Sequence, residues 1–489
     1  MVGPDFKRPN VEVPSHWTKT DPRFVDERAQ ADWWKSFNDP VLDALIDRAY
    51  HQNLSLQIAG LRVVEARAQL GISKGMLWPQ VQELYAGGAV TSLTQQQATA
   101  LKLDRPFVGY QVGFDAVWEL DFWGKYRRGI QADSSALLGS IGDYYYALVS
   151  LTAEVARTYA IIRTYEELID EANDNVKVQQ DAVHIAESRL RNGATSELDV
   201  TQATTLLEST RASVPRLEAV LEQARNAMAT LLGQTPGTVT AMLGAPGKIP
   251  ATPAKVAVSV PAEMLRRRPD VRAAELYAAA QCSRIGVAKA DLYPSFSILG
   301  SIGFAGVYSN GTAANPFSAD GLIYSLGPQI NWPFFQYGRV TNNVRVQDAR
   351  FQQLLVGYRN TVLKAAQEVE DAMSGYVDGL DSAVFQERAV TNAKRSVEIS
   401  MKSYQEGAVD YQRVLDAERS LLQEENTLTQ TRSAIVTSLV ALYKALGGGW
   451  EFSLGKPFIP AAMQHEMKER TSWGDMLTDP QSVEKKKHP

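Results

Sequence analysis

Two runs of nearly seventy residues without proline limit most strictly what this chain can fold into. They cover residues 124–191 and 338–406, and shorter helical runs follow at about 197–232 and about 411–446. A helix of about 68 residues reaches about 100 Å, at 1.5 Å per residue. Such a helix cannot be packed inside one compact domain, so the sequence predicts two long helical hairpins. Pro215 lies within the first returning helix and predicts a kink there.

The last helical run carries a coiled-coil seam. Apolar residues recur at every seventh position, namely Val414, Leu421, Leu428, Ile435 and Leu442. One heptad column of this kind marks the buried face of a coiled coil. A filamentous coiled-coil scaffold would show the same seam, but the long strand-like runs between the helices argue against that class.

The chain repeats itself at a nearly constant spacing. Gly113, Gly124 and Gly193 recur as glycines at one constant offset further along the chain (327 − 113, 338 − 124, 407 − 193). A period this long indicates an internal duplication of a domain-sized element rather than a solenoid. Repeat 1 covers residues 41–233 and repeat 2 covers residues 262–447.

Each repeat is predicted to contain the same elements in the same order. A helix (about 42–77, and 262–292) is followed by a β-hairpin (about 80–121, and 295–334) and then by the long helical hairpin (about 124–232, and 338–446). Polar loops are expected at 94–105 and 309–320, within the β-hairpins. Residues 1–40 are predicted to be an irregular N-terminal segment, 234–261 a linker, and 448–489 an irregular C-terminal segment and tail.

The strand-like runs alternate between apolar and polar positions, strictly from 108 to 120 apart from Val117 and less cleanly from 81 to 93. From 108 to 120 the apolar positions are Val108, Tyr110, Val112, Phe114, Ala116, Trp118 and Leu120. Strands of soluble domains average about 5–6 residues, whereas membrane strands need about 9–11 and carry aromatic residues at both interfaces. Although a soluble β-sandwich also alternates, the length favours a membrane sheet. The predicted aromatic girdle is Tyr110, Trp118, Tyr308 and Trp332.

Two strands per repeat give four strands per chain, which cannot close a barrel. An open sheet edge in lipid leaves backbone groups without hydrogen-bond partners, so several chains must complete the sheet. The smallest membrane barrels have about 8 strands, and two, three or four protomers would satisfy that minimum. No run of about 18 uninterrupted apolar residues occurs, which excludes an ordinary transmembrane helix.

Motifs of catalysis or cofactor binding are missing from the sequence. The five histidines share no metal-ligand spacing, and neither a P-loop nor a GxSxG motif occurs. We therefore expect no catalytic residue, no metal and no cofactor. The 50 basic and 55 acidic residues are interspersed, which predicts no nucleic-acid partner. Cys282 lies in an apolar stretch and is expected to be a small buried residue. The first residues lack the apolar core of a signal peptide, as expected of a mature or engineered start.

Five segments, in order, resemble the TolC-like outer-membrane factors, particularly the lipoproteins that serve resistance-nodulation-division pumps. The segments are Asp5-Phe-Lys-Arg-Pro9, Trp118-Glu-Leu-Asp121, Leu265-Arg-Arg-Arg-Pro-Asp270, Ala290-Asp-Leu-Tyr-Pro294 and Leu442-Tyr-Lys-Ala-Leu-Gly-Gly-Gly-Trp450. The likeness covers roughly residues 3 to 455. Members of that branch usually begin with a lipidated cysteine just before a Gly-Pro-Asp segment, and here Met1 stands near that place.

The resemblance implies an α+β membrane protein and a homotrimer. Twelve strands (4 × 3) would close a β-barrel in the outer membrane, continued by a helical barrel through the periplasm with residues 234–261 and 448–489 in an equatorial belt. It implies a passive exit duct for drugs or metals, with a periplasmic adaptor (membrane fusion) protein and a proton-driven inner-membrane pump as partners. A coiled-coil structural or adhesive protein without a pore, and a protein-secretion duct, are the alternatives.

The two hairpin tips are the candidate functional site. Gly193 and Gly407 stand where a helix ends in the left-handed conformation, and Thr195 or Ser196, and Asp410, are predicted to cap the returning helices. Turn chemistry alone would also place these residues there. The resemblance implies adaptor contacts at the tips, at Gly193, Ala194, Thr195, Gly407, Ala408 and Val409.

The resemblance also implies a closed periplasmic mouth just past the second tip. By motif, Tyr404 and Asp416 match the constriction positions, and Asp199 and Asp410 are further gate candidates. In a trimer, three converging Asp416 carboxylates would repel one another and favour cations. An ordinary solvated helix carboxylate is the alternative for Asp416.

Overall fold

The computed structural model describes residues 1–11, 14–27, 31–258, 261, 267–309, 311–315 and 317–477. The chain divides into two compact units. One comprises Met1–Asn10, Val63–Ser140 and Ala273–Tyr358, and the other comprises Val11–Arg62, Ile141–Arg272 and Arg359–Pro489. The first unit holds the large β-sheet, and the second holds both helical tips. No helix in these described ranges combines the length and apolarity needed to cross a membrane.

The predicted first helix is broken in two. Helix α1 spans Pro40–Gln52 and α2 spans Leu54–Gly75. Asn53 stands between them in an extended conformation. Its side-chain oxygen accepts a hydrogen bond from the Leu56 amide at 2.8 Å, and its side-chain amide donates to the Leu231 carbonyl at 2.9 Å. Because this short polar side chain offers the backbone a cap, the helix ends and restarts here.

The first unit contains one antiparallel sheet built from both repeats. Its four long strands are β2 (Val81–Thr91), β3 (Phe107–Glu119), β5 (Ser295–Ser309) and β7 (Leu322–Asn331), hydrogen-bonded in the order β2-β3-β5-β7. A short strand, β6 (Thr312–Ala313), pairs with the end of β5. In the second unit, β1 (Phe24–Val25) and β4 (Val256–Ala257) form a small parallel pair. The long strands have 10 to 15 residues, as the alternating pattern predicted.

The first predicted polar loop contains a short helix. Helix α3 spans Gln95–Leu101, where the sequence predicted only irregular structure. Thr94 caps it: its hydroxyl accepts from the Gln97 amide, and the Gln97 side chain accepts from the Thr94 amide. This reciprocal capping box satisfies two backbone donors that the first turn leaves free, which explains the helix. The second loop contains β6.

The long helices recur with equal lengths. Helices α4 (Lys125–Arg191) and α8 (Arg339–Gln405) have 67 residues each, and the returning helices α5 (Glu197–Leu231) and α9 (Tyr411–Ala445) have 35 each. Helix α8 begins as many residues after the start of α4 (339 − 125), and α9 as many after the start of α5 (411 − 197), as separate the repeated glycines. Helix α5 continues through Pro215. Val414, Leu421, Leu428, Ile435 and Leu442 of the predicted seam are all buried.

Shorter helices lie in and after the predicted linker. Helix α6 spans Thr240–Leu243, within the predicted linker, and α7 spans Pro269–Ala290. The expected start of the second-repeat helix at 262 falls outside the described residues. A further helix, α10, spans Ala461–Arg470 in the C-terminal segment that was expected to be irregular.

Arg268, a side chain of one of the sequence motifs, holds three chain segments together. Arg268 is buried; its guanidinium donates to the Ala445 carbonyl at 2.7 Å and pairs with Asp270 and Glu368 at 2.8 and 2.9 Å. It thus binds the last turn of α9, whose carbonyls have no partner within the helix. Cys282 is buried, as predicted.

Candidate functional site: the helical tips and the exposed face of the sheet

The first tip is a tight turn between α4 and α5. Gly193 has a positive φ of 66°, and the Ala194 amide donates back to the Arg189 carbonyl at 2.9 Å. This is the left-handed end that glycine permits without strain. Ser196 stands at the N-cap of α5 but its side chain makes no cap hydrogen bond. The Thr195 hydroxyl donates instead to the carboxylate of Asp199, in the first turn of α5.

The second tip has the same geometry. Gly407 has a φ of 79°, its amide donates to the Tyr404 carbonyl at 3.0 Å, and the Ala408 amide donates to the Ser403 carbonyl at 2.9 Å. Asp410 occupies the predicted N-cap position of α9. Its side chain makes no cap hydrogen bond and is exposed, so the predicted capping role of Asp410 is wrong.

Tyr404 and Asp199, two of the four predicted gate residues, meet between the hairpins. The Tyr404 side chain is only 1% exposed, and its hydroxyl donates to the Asp199 carboxylate at 3.2 Å. The Thr195 hydroxyl lies 3.5 Å from the same hydroxyl. Burial raises the pKa of Tyr404, with a smaller opposing effect of Thr195, so the phenol is a neutral donor at physiological pH. Tyr404 therefore joins α8 to the first tip within one chain.

The other two gate candidates are exposed. Asp416 lies on the solvent-facing side of α9 and accepts a hydrogen bond from the Gln412 side-chain nitrogen, one turn earlier, at 2.8 Å. Asp410 is exposed at the second tip. The structure thus separates the four residues into a buried contact, Tyr404 with Asp199, and two carboxylates on the surface.

The predicted adaptor-contact residues divide in the same way. Gly193, Ala194, Gly407 and Ala408 are exposed. Thr195 is half-buried through its hydrogen bond with Asp199, and Val409 packs against the apolar cluster around Tyr404 and Tyr411. Four of the six residues are therefore open to a partner, and two hold the tips together.

Arg189 is a residue of the site that the sequence analysis missed. It lies in the last turn of α4, and its guanidinium donates to the Tyr404, Gln405 and Ala194 carbonyls, the last two at 3.3 and 3.2 Å. The same guanidinium lies over the Tyr404 ring, 4.5 Å from its centre. A basic residue in the last turn of a helix beside a glycine tip was the available sequence signal, because such residues bind terminal carbonyls. We name Arg189, Thr195, Asp199 and Tyr404 the tip clasp.

A buried carboxyl lies in α9 beyond the second tip. Glu418 is 3% exposed, and neither of its oxygens, nor the Tyr411 hydroxyl, makes a hydrogen bond of ordinary geometry. Burial raises the pKa of Glu418 to about 7, although the nearby Tyr411 hydroxyl lowers it slightly. Burial likewise raises the pKa of Tyr411. No motif in the sequence pointed to Glu418, which lies on the largely apolar buried face of α9.

The two faces of the sheet differ at its middle, where an apolar row lies on one face and a polar row lies on the other. Leu84, Phe114, Ile302 and Tyr324 lie opposite one another across the four long strands and form an exposed apolar row. The adjacent row, on the other face, is Glu83, Asp115, Ser301 and Ser325. Leu84 and Tyr324, on the two outer strands, are 82% and 77% exposed. An exposed apolar row of this extent marks a surface that another apolar medium or molecule covers.

The four predicted girdle residues lie near the ends of this sheet. Trp118 and Trp332 lie at the end next to the helices, and their indole nitrogens donate to the Leu77 and Leu292 carbonyls at 3.1 and 3.2 Å. The two repeats thus make the same contact at equivalent positions. Tyr110 and Tyr308 lie at the loop end: the Tyr110 hydroxyl donates to the Ala314 carbonyl, and Tyr308 is exposed.

Comparison with protein families identifies the family of this chain. A family model described as outer membrane efflux protein matches residues 45–234 and 260–448, well over half of the sequence. The chain belongs to the outer membrane efflux protein family. The predicted relationship to the outer-membrane factors is confirmed, and so is the predicted location in the outer membrane. The family is one of efflux channels, not of enzymes.

Curated and solved relatives of this family member cover nearly its whole length. The cation efflux system protein CusC of Escherichia coli is 28% identical over 92% of this chain and 96% of its own. The pyoverdine export outer membrane protein OpmQ of Pseudomonas aeruginosa is 29% identical over 90% of this chain and 92% of its own. The solved outer-membrane channel OprN is 33% identical, with a TM-score of 0.85 over 92% of this chain and 99% of that one.

Proposed function

We propose that this family member is one protomer of a trimeric exit duct that passively conducts exported small molecules across the periplasm and the outer membrane. The observation that carries the proposal is the sheet. Its strands have 10 to 15 residues, long enough for the about 9–11 that a membrane strand requires. At its middle, one face carries an exposed apolar row and the other face carries a polar row. That pattern suits a strand with lipid on one side and a water-filled lumen on the other.

The edges of the sheet support assembly from several copies. In the described part of the chain, β2 pairs with β3 alone and β7 pairs with β5 alone, so both outer strands keep one unpaired edge. A membrane sheet tolerates no open edge. Three copies would contribute 12 strands (4 × 3) and allow β7 of one protomer to pair with β2 of the next. The long helices, which follow β3 and β7 directly in the chain, would then form the periplasmic part of the duct.

The tips supply a candidate gate. We assign Asp416 to the mouth because it is exposed on α9 just past the second tip, where three copies would bring three carboxylates together. Asp410 would add negative charge beside them. Tyr404 is buried within one chain, so it would act through its contact with Asp199, holding the hairpins closed, rather than by lining the mouth. Opening would then require the hairpins to separate.

A periplasmic adaptor and a proton-driven inner-membrane pump are the proposed partners. The exposed tip residues Gly193, Ala194, Gly407 and Ala408 form the part of the candidate contact surface that a partner can reach. The relatives named above are described as serving cation efflux or pyoverdine export, so one architecture serves small solutes of different chemistry. We therefore assign choice of cargo to the pump and adaptor, and conduction to this chain.

Two measurements on the purified protein test the proposal. The mass of the detergent-solubilised oligomer should equal three chains of 53.8 kDa, and the same preparation should conduct ions in a planar bilayer. A monomer, or an oligomer that never conducts, would favour a coiled-coil scaffold without a pore. A resting conductance that indicates a pore wide enough for an unfolded polypeptide would favour the protein-secretion alternative.

A further inference from the structure

The contacts of Arg189 cross from one hairpin to the other. The residue belongs to α4, in the first hairpin, whereas two of the carbonyls that it binds, those of Tyr404 and Gln405, are the last of α8 in the second hairpin. Its other terminal nitrogen donates to the Ala194 carbonyl in the first tip at 3.2 Å. One guanidinium therefore binds both tips.

The chemistry of a helix end explains why a guanidinium suits this position. The last four carbonyls of an α-helix have no partner within the helix and carry the negative end of its dipole. Arginine presents several donors in a rigid plane and keeps its charge at every physiological pH. Here the Nη atoms reach carbonyls of two different chain segments, and the guanidinium covers the Tyr404 ring. A lysine has a single ammonium group and no planar face.

Tyr404 is consequently held at both ends by the first hairpin. The Arg189 guanidinium donates to the Tyr404 carbonyl and covers the Tyr404 ring. The Asp199 carboxylate, at the start of α5, accepts a hydrogen bond from the Tyr404 hydroxyl. These two contacts come from the two sides of the first tip, because Arg189 lies in α4, which ends at Arg191, and Asp199 lies in α5, which begins at Glu197. A tyrosine held at one end could still pivot; one held at both ends fixes the position of the second tip.

We propose that Arg189 is a positioning residue that holds the second tip against the first. This inference rests on the proposed function only in its consequence for the gate. The contacts themselves lie within one chain. Loss of Arg189 should free the second loop first, because the Gly407 and Ala408 amides close the end of the helix whose carbonyls Arg189 binds.

Arg191 provides a matched control. It lies in the same last turn of α4 and carries the same charge, but its side chain is exposed and pairs with Glu187 of its own helix at 3.9 Å. The position equivalent to Arg189 in the second repeat, at the offset of the repeated glycines, is Ser403. Only one of the two helices that end at the tips therefore has an arginine at this position, so the clasp is asymmetric between the repeats.

Hydrogen exchange of the full-length protein tests the role of Arg189. Arg189→Gln should speed exchange of the Gly407 and Ala408 amides about 10-fold or more, the loss expected when a hydrogen bond to a charged group is removed. Arg191→Gln should leave these amides at the parent rate. Arg189→Lys keeps the charge but lacks the planar set of donors, so it should recover part of the protection of these amides. Peptides from Phe107–Glu119 should exchange alike in every variant, which excludes general unfolding.

The conductance of the same variants separates this proposal from the proposed function. In a planar bilayer, Arg189→Gln should raise the resting conductance and Arg191→Gln should not. Parent-like exchange in Arg189→Gln, or equal acceleration in Arg191→Gln, would overturn the positioning role. A protein that conducts in no variant would overturn the proposed duct, and the exchange rates would still decide the role of Arg189.

Discussion

Replacing Glu418 by glutamine should stabilise the protein, by an amount that grows as the pH rises from about 4.5 to about 7. The Glu418 carboxyl is buried in the α9 seam near the Tyr411 hydroxyl, and its pKa is raised from 4.5 to about 7. A raised pKa means that the folded state favours the neutral form of this acid. Stability from this group is therefore complete below pH 4.5 and falls as the pH rises toward 7.

The size of the effect follows from the shift. Each pKa unit corresponds to about 1.36 kcal/mol, so a rise from 4.5 to about 7 costs about 3 kcal/mol once Glu418 is ionised. Glutamine has nearly the same shape and cannot ionise. The Glu418→Gln variant should match the parent near pH 4.5 and exceed it by about 3 kcal/mol at pH 8.

Chemical unfolding of the detergent-solubilised protein, followed by helical circular dichroism at pH 4.5, 6, 7 and 8, measures this difference. Asp416→Asn is the control, because Asp416 lies two residues earlier on the same helix and is exposed. Glu171 is another carboxyl whose pKa burial raises to about 7, so both parent and variant keep some pH dependence and only their difference isolates Glu418. A difference that did not change with pH would refute the reasoning.

The remaining predictions concern the sheet and the tips. Phe114→Arg should destabilise the membrane-inserted oligomer by about 2–4 kcal/mol near the midplane, whereas Gln111→Arg on the polar face should be mild, as measured by oligomer stability in detergent; equal damage would contradict the barrel. Asp416→Ala should raise single-channel conductance and weaken cation preference, and Lys177→Ala, whose exposed side chain pairs within its own helix, should do neither. Tyr404→Phe removes only the hydroxyl contact, so it should cost about 1 kcal/mol in unfolding free energy and raise resting conductance; an unchanged channel would place the gate elsewhere.

Elements with a strong local signal could be predicted from the sequence. The period-2 alternation from 108 to 120 predicted β3 almost to the residue, because side chains of a strand alternate between faces whatever lies beyond them. The heptad column of α9 predicted its buried face, because residues seven positions apart lie on the same face of a coiled-coil helix. The glycine positions predicted both tips, since only a left-handed residue ends these helices.

Features that depend on distant partners were missed or assigned wrongly. At the break of the first helix, the Asn53 side-chain amide donates to the Leu231 carbonyl, a partner far along the chain that no local pattern reveals. Asp410 had the right position for a cap but makes no cap bond. Arg189 looked like an ordinary charged residue of a helix end, because its partners at Tyr404 and Gln405 belong to a helix of the other repeat. Periodicity reports which face of an element is buried, not which residues of another element it meets.

The equal lengths of the hairpins have a consequence for how such a chain can vary. One residue inserted into α4 alone would advance its tip by about 1.5 Å and rotate it by about 100°. Arg189 would then point away from the α8 carbonyls, and Asp199 would no longer reach Tyr404. The lengths of the two 67-residue helices are therefore coupled. Insertions and deletions should occur in both repeats together, at equivalent positions along the two helices, and in multiples of seven residues. A channel of this kind should lengthen or shorten only in paired steps.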